Sequence, residues 1–174
     1  MFITHIATFV AVGVAAGLAL SGVPNVELVT AICFMAGYLL GSAAGMLTGA
    51  LTELLFAGFH PLGSSFGPIL LAQVTGMVVV GLLGGQAARL TCNNDSRLRY
   101  TISVVVSGIL GTLIFDFLTN LAFPIMSGFS FNQTLVSLTA GLPFAAIHLI
   151  SNTVVFIVVV LPLLPRLQKV LRLI

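Results

Sequence analysis

Asp116 and Asn120 lie in the stretch Leu113–Leu121, inside an apolar run from Ile102 to Phe123 long enough to cross a bilayer. A carboxylate at that depth costs about 2.5–3.5 kcal/mol on insertion scales, and it normally faces other helices or a water-filled cavity. Asn120 follows one turn later on the same helical face. His148 and Asn152 repeat the same spacing in the last apolar run. A carboxylate, an imidazole and two amides at similar depth can hold the N–H groups of a solute. They can also tie helices together.

The rest of the chain must hold these groups in a membrane. Of 174 residues, 59% are hydrophobic and only 6% are charged, against about 25% charged in a soluble domain. That leaves too little polar surface to coat a globule in water. Apolar stretches punctuated by Gly, Pro and Asn point to helices, since barrel strands alternate with period two. The chain reads as one all-α integral membrane domain over residues 1–174. Its N-terminus has no basic region ahead of the apolar run, so the run is a retained first span. Cys33 and Cys92 form no CxxC pair and no metal spacing, so no metal or cofactor is expected. The six Lys and Arg residues flank spans, which argues against nucleic-acid binding.

Six spans are expected. The first covers Ile3–Leu20 and ends at the turn Ser21–Asn25. Leu28–Ala57 would be roughly 45 Å long as one helix, against a hydrocarbon core of about 30 Å. It is therefore divided into two short helices at Gly41–Gly45. A loop over Gly58–Pro68 precedes a fourth span, Ile69–Ala88. Arg89–Tyr100 reads as a solvated loop with three arginines, Asn93, Asn94 and Asp95. The fifth span runs to Phe123, Pro124–Gln133 is a loop, and the sixth span covers Leu135–Leu161. Pro162 and Pro165 close it before a basic tail. With six spans both termini share the side of Arg89, Arg97, Arg99, Arg166, Lys169 and Arg172, which is then cytoplasmic. A five-span arrangement would move only the N-terminus.

The polar residues of the spans all fall between mid-depth and the outer surface. Asn25 and Glu27 open the second span, Glu53 lies near the outer end of the third, and Gln73 is one turn into the fourth. Asp116 and Asn120 occupy the outer half of the fifth, and His148 and Asn152 lie near the middle of the sixth. Glu27 also suits a helix start, where the dipole favours an acid. Glu53 and Gln73 also suit a hydrated interface, and His148 and Asn152 suit interhelical glue. Asp116 fits a structural role least, because no Lys or Arg in the membrane is available to pair with it. The distribution predicts a cup open to the outside, with Asp116 and Asn120 facing His148 and Asn152. A continuous proton path would need such groups in the inner half as well.

Ala7, Ala11, Ala15 and Ala19 repeat every fourth residue of the first span, and Gly13 and Gly17 repeat on another face. Small residues at this spacing let helices approach closely, within the chain or against another subunit.

With these features the chain resembles an S component, the substrate-binding membrane subunit of an energy-coupling factor (ECF) vitamin transporter. The resemblance covers nearly the whole length. It rests on size, the six-span pattern, the series Ala7, Ala11, Ala15, the opening Pro24-Asn25-Val26-Glu27-Leu28, the Gly-spaced third helix from Gly41 to Thr52, and Asp116-Phe-Leu-Thr119-Asn120. It implies a high-affinity binder of a vitamin or precursor in a bacterial or archaeal cytoplasmic membrane, not an enzyme. A transmembrane scaffold subunit and two cytoplasmic ATPases are the implied partners, with Ala7, Ala11 and Ala15 against the scaffold. The ligand would sit under the first, third and fifth loops, which brings in His60 beside Asn25, Glu27, Glu53, Gln73, Asp116, Asn120, His148 and Asn152.

The chain has no tryptophan and no Lys or Arg near the outer face, which disfavours a thiamine-type indole stack and an anionic ligand such as folate. The acids favour a cationic or many-donor ligand, with Phe59, Phe66, Phe117, Phe123, Phe129 or Phe131 stacking on a ring. For a corrinoid, His60, His148 or Cys33 would touch cobalt. A solitary secondary transporter is the alternative function. An intramembrane serine protease, using Ser64 or Ser65 with His148, is a weaker one. A purely structural assembly subunit is a further class.

Overall fold

The computed structural model of the chain describes residues 2–92 and 96–172. Asn93, Asn94 and Asp95, read above as loop residues, lie outside them, as does the side chain of Arg172. Among the described residues the chain is all-helical: α1 (Phe2–Leu20), α2 (Val29–Leu40), α3 (Ser42–Gly58), α4 (Gly67–Thr91), α5 (Arg97–Met126), α6 (Phe131–Val155), a π-helical turn (Phe156–Val160) and α7 (Leu161–Arg172). Four of these rods are long and apolar enough to cross a membrane: α1, α4, α5 and the continuous α6–α7. The chain is therefore a membrane helical protein.

The expected division of Leu28–Ala57 falls at Gly41. Its φ of 95° ends α2, and α3 begins one residue later. Such a φ is open to glycine and strained for other residues. α2 is buried on every side, from Val29 to Tyr38, as expected of a helix apolar all round. Its backbone lies directly against α3 and α4. A Cβ on Gly37 would overlap the Gly81 carbonyl, and one on Gly45 would overlap the Gly37 backbone. Glycine is required here because three backbones meet where a side chain would stand. α1 packs through Gly13 on Thr52 and through Gly17 on Phe56 and Val29. Its Ala7, Ala11 and Ala15 stay exposed and open on an apolar groove with Leu47, Leu51 and Leu55.

Several helix ends differ from the sequence reading. α4 runs to Thr91 and α5 begins at Arg97, so Arg89, Arg97 and Arg99 are helical and the connection is much shorter than Arg89–Tyr100. Pro124 lies inside the last turn of α5, where its missing N–H leaves the Asn120 carbonyl without a helical donor. α6 begins at Phe131, with the Gln133 carboxamide oxygen accepting from Ser130 N–H at 2.8 Å; the Ser-x-x-Gln pattern is half of a capping box.

The largest departure is at Pro162 and Pro165, which do not end the last helix. The Leu161 N–H bonds back five residues to the Phe156 carbonyl, and this wider turn accommodates Pro162. Pro165 has no N–H for the Leu161 carbonyl, so Tyr100 supplies its hydroxyl to that oxygen at 2.8 Å. The π turn also keeps a stripe aligned. His148, Asn152, Phe156, Val160 and Leu164 are all buried, yet steps of four drift about 40° each around an α-helix. A turn closed by an i→i+5 bond takes part of that drift back.

α4 and α5 run antiparallel, as do α5 and α6. Both chain ends therefore lie at one end of the bundle, with the α4–α5 junction. There His5, Thr8 and Phe9 sit beside Leu163, Leu167 and Val170. We call this the basic end. Glu27, Glu53, Asp116 and His148 gather toward the other.

Candidate functional site

The loop between α1 and α2 is shaped by Asn25, the only non-glycine with positive φ (59°) among the described residues. Asn tolerates that conformation better than most residues. The turn aims the Asn25 carbonyl at α6, where Ser151 donates its hydroxyl at 2.5 Å. Glu27 then does two things. Its Oε2 accepts the Thr30 N–H at 2.9 Å, satisfying a free donor at the start of α2. Its Oε1 accepts from Asn152 Nδ2 at 3.2 Å and lies 3.5 Å from His148 Nε2.

His148 stands between two carboxylates. Its Nδ1 lies 2.6 Å from Asp116 Oδ1, so the proton on Nδ1 faces an acceptor. Its Nε2 meets Asn152 Nδ2 at 3.1 Å and looks toward Glu27. Asn152 also donates to Thr112 Oγ1 at 3.2 Å, and Thr112 donates to the Gly108 carbonyl. The absence of Lys and Arg left Asp116 without an obvious partner in the sequence; the partner is the imidazole of α6. Asn120 reaches Asp116 only through the backbone, donating Nδ2 to its carbonyl at 2.8 Å. The Asn120 side-chain oxygen lies close over Gly141. This lets α6 approach α5 near the end away from the chain termini.

Above this network lies a cavity of about 530 Å³. Asn25, Glu27, Glu53, His60, Gln73, Asp116, Asn120 and His148 all line it. Asn152 does not; it is 1% exposed and sits beneath, holding His148 and Glu27. The loop Ser21–Asn25 contributes to the wall, and His60 and Leu62 contribute from the loop after α3. The fifth loop was expected over the ligand, but its residues do not line this cavity. Phe129, Asn132 and Gln133 instead border a separate shallow depression.

The aromatic assignment also needs correction. Phe59, Phe66, Phe117, Phe123, Phe129 and Phe131 are exposed and line none of the cavity. Phe56, Phe115 and Phe144 do line it. Phe56 lies one turn after Glu53, and Phe115 crosses His148 edge to face at 6.0 Å. The i+3 spacing from Glu53 was a usable signal for Phe56. Cys33 is fully buried in the core and away from the cavity, so it cannot reach a ligand there. Ser64 donates to the Gly58 carbonyl at 2.7 Å, and neither Ser64 nor Ser65 borders the cavity that His148 lines. No group of three or more His, Cys, Asp or Glu among the described residues is arranged to hold a metal ion.

Below the cavity the chain closes. Thr30 and Met77 touch under its floor, and Phe34 packs edge to face on Phe156 at 5.0 Å. Val80 and Val104 are completely enclosed. At the basic end, Tyr38 shares a 2.7 Å hydrogen bond with Thr91 and packs on Tyr100. No protein-family model, no curated protein and no solved structure matches the chain.

Proposed function

We propose that this chain is the membrane-embedded substrate-binding subunit of an ECF-type ATP-driven importer. It takes up a vitamin or vitamin precursor at the outer face of a bacterial or archaeal cytoplasmic membrane. One observation carries the reading: a cavity of solute size, apolar over most of its wall and set with several polar side chains, opens at one end of the bundle, and a packed core closes the path to the other. Pockets of about 300–1,000 Å³ suit small molecules, and polar groups from four helices and two loops converge on this one. The described Lys and Arg residues sit at the opposite end, so the positive-inside rule puts the termini in the cytoplasm and the cavity outside. α2 and α3 then count as short spans, giving six. The groove along Ala7, Ala11 and Ala15 is where a scaffold helix would pack, since small residues permit close approach.

A solitary secondary transporter would need a route past α2, which is enclosed along its length. The test is a calorimetric screen of the purified chain against B vitamins and nucleobase-like precursors, with co-expression of scaffold and ATPase subunits. Sub-micromolar binding of one compound and co-purification of the complex are expected. Absence of both would overturn the proposal.

A further inference from the structure

The cavity keeps more unpartnered acceptors than its own contacts explain. Glu53 is 2% exposed and lines the cavity, yet no hydrogen bond or ion pair joins it to another described residue. Asp116 is 9% exposed. It commits Oδ1 to His148 and leaves Oδ2 buried with no partner. Gln73 leaves its carboxamide oxygen buried and unpartnered as well. These groups come from α3, α5 and α4, so they stand on different walls. Each is an acceptor waiting for a donor, and a buried acceptor left unmade costs about 1–3 kcal/mol, more when charged. No Lys or Arg lines the cavity to answer them.

We propose that the solute held here is a small organic cation carrying at least two N–H donors, with its charge between Glu53 and Asp116 and an N–H on Gln73. The inference rests on the reading of the chain as a solute-binding subunit and names the class of solute. The cavity's 530 Å³ accommodates a compound of one or two rings. Phe56 and Phe115 border the same space, and aromatic faces attract a desolvated cation. An anionic solute would meet three carboxylates, those of Glu27, Glu53 and Asp116, with no Lys or Arg beside them and with the His148 imidazole already held by Glu27 and Asp116.

Three probes of one shape and different charge test this: benzamidine (cation), benzamide (neutral) and benzoate (anion). Their binding to the full-length protein in lipid nanodiscs is measured by equilibrium dialysis. Benzamidine is expected to bind at least tenfold more tightly than benzamide, with benzoate weakest. Glu53→Gln is expected to collapse the benzamidine-to-benzamide ratio toward one, and Asp116→Asn to lower it separately. Size-exclusion profiles and circular dichroism check that both variants fold. If benzamide or benzoate binds as tightly as benzamidine, the charge assignment is overturned while solute binding stands. An unchanged ratio in both folded variants would overturn the placement on Glu53 and Asp116. Failure of all three probes at 10 mM (about the weakest useful affinity for such fragments) would count against the cation and the solute-binding reading together.

Discussion

The two oxygens of Asp116 have different work, and substitution can separate them. Oδ1 meets His148 Nδ1 at 2.6 Å between buried side chains, whereas Oδ2 has no partner and belongs to a residue lining the cavity. Hydrogen bonds to charged groups contribute about 1.5–3 kcal/mol in soluble proteins. Interhelical ones in membranes average about 0.6 kcal/mol and reach about 1.7. The short distance and the burial put this bond near the upper membrane value. Asp116→Ala should therefore destabilise the fold by about 1.5–2 kcal/mol. Asp116→Asn can keep a carbonyl oxygen toward His148, so its loss should stay below about 1 kcal/mol. The same replacement turns an NH₂ toward the cavity where Oδ2 stood. A cation would then lose a charge-assisted bond of about 1.5–3 kcal/mol, or roughly 10- to 150-fold in affinity. Unfolding in mixed micelles of dodecyl maltoside and SDS, followed by circular dichroism, reads the first quantity. Benzamidine dialysis reads the second. Asp116→Asn as unstable as Asp116→Ala, or binding benzamidine normally, would refute the division of labour.

Tyr100→Phe should destabilise by about 1 kcal/mol, because the Leu161 carbonyl freed by Pro165 loses its donor. In a Pro165→Ala background that cost should shrink, since residue 165 then brings its own N–H; equal costs in both backgrounds would disprove the compensation. Gly37→Ala and Gly81→Ala should each cost about 1–3 kcal/mol in micellar unfolding, as backbone would have to move. Gly22→Ala, with nothing within 4 Å of the added carbon, should stay within about 0.5 kcal/mol. Ala11→Leu should leave the fold and benzamidine affinity unchanged, because its site is exposed and far from the cavity. On the proposed function it should reduce co-purification of the scaffold subunit, and unaltered recovery would remove α1 from that interface.

Much of the site was legible because helical spacing and membrane depth are sequence properties. An i, i+4 step was enough to put Asp116 with Asn120 and His148 with Asn152, and burial of polar groups is costly enough in lipid that few arrangements remain. Gly41 was legible as a break because the run around it exceeds a bilayer. The remaining features depend on partners distant in sequence. Nothing in Pro162 or Pro165 announces that a π turn and a hydroxyl from α5 will let the helix continue. The aromatic residues misled because residue type does not announce orientation: Phe59, Phe66 and Phe129 lie in loops and Phe117, Phe123 and Phe131 are exposed on α5 and α6, while Phe56 turns inward on the face of Glu53 and Phe115 packs across on His148. Asn152 was chosen for its type and spacing, but its depth under His148 makes it a support for the imidazole, not part of the cavity wall.

The closed floor bears on how a solute bound in the cavity would reach the other side. A route inside the chain requires α2 to leave its place, and α2 is held where backbones touch. Gly37 lies against Gly81 and Gly85, Gly45 against Gly37, and Gly84 against the Phe34 carbonyl. Such contacts do not slide by small increments, because packed interiors have no slack to absorb them. The ties between the first loop and α6 are different in kind. Ser151 to Asn25, and Asn152 with His148 to Glu27, tie one loop to α6 through a few hydrogen bonds. Each contributes on the order of 1 kcal/mol. Opening of the cavity would therefore break the ties between the first loop and α6 before it disturbed the α2–α3–α4 core. On the proposed function, inward delivery would then require the body to move as a unit against a partner. Crosslinking a cysteine at Gly22 to one at Ala145 (in a Cys92→Ser background) should block exchange of bound benzamidine without affecting unfolding. Free exchange in the crosslinked protein would mean that the solute enters elsewhere.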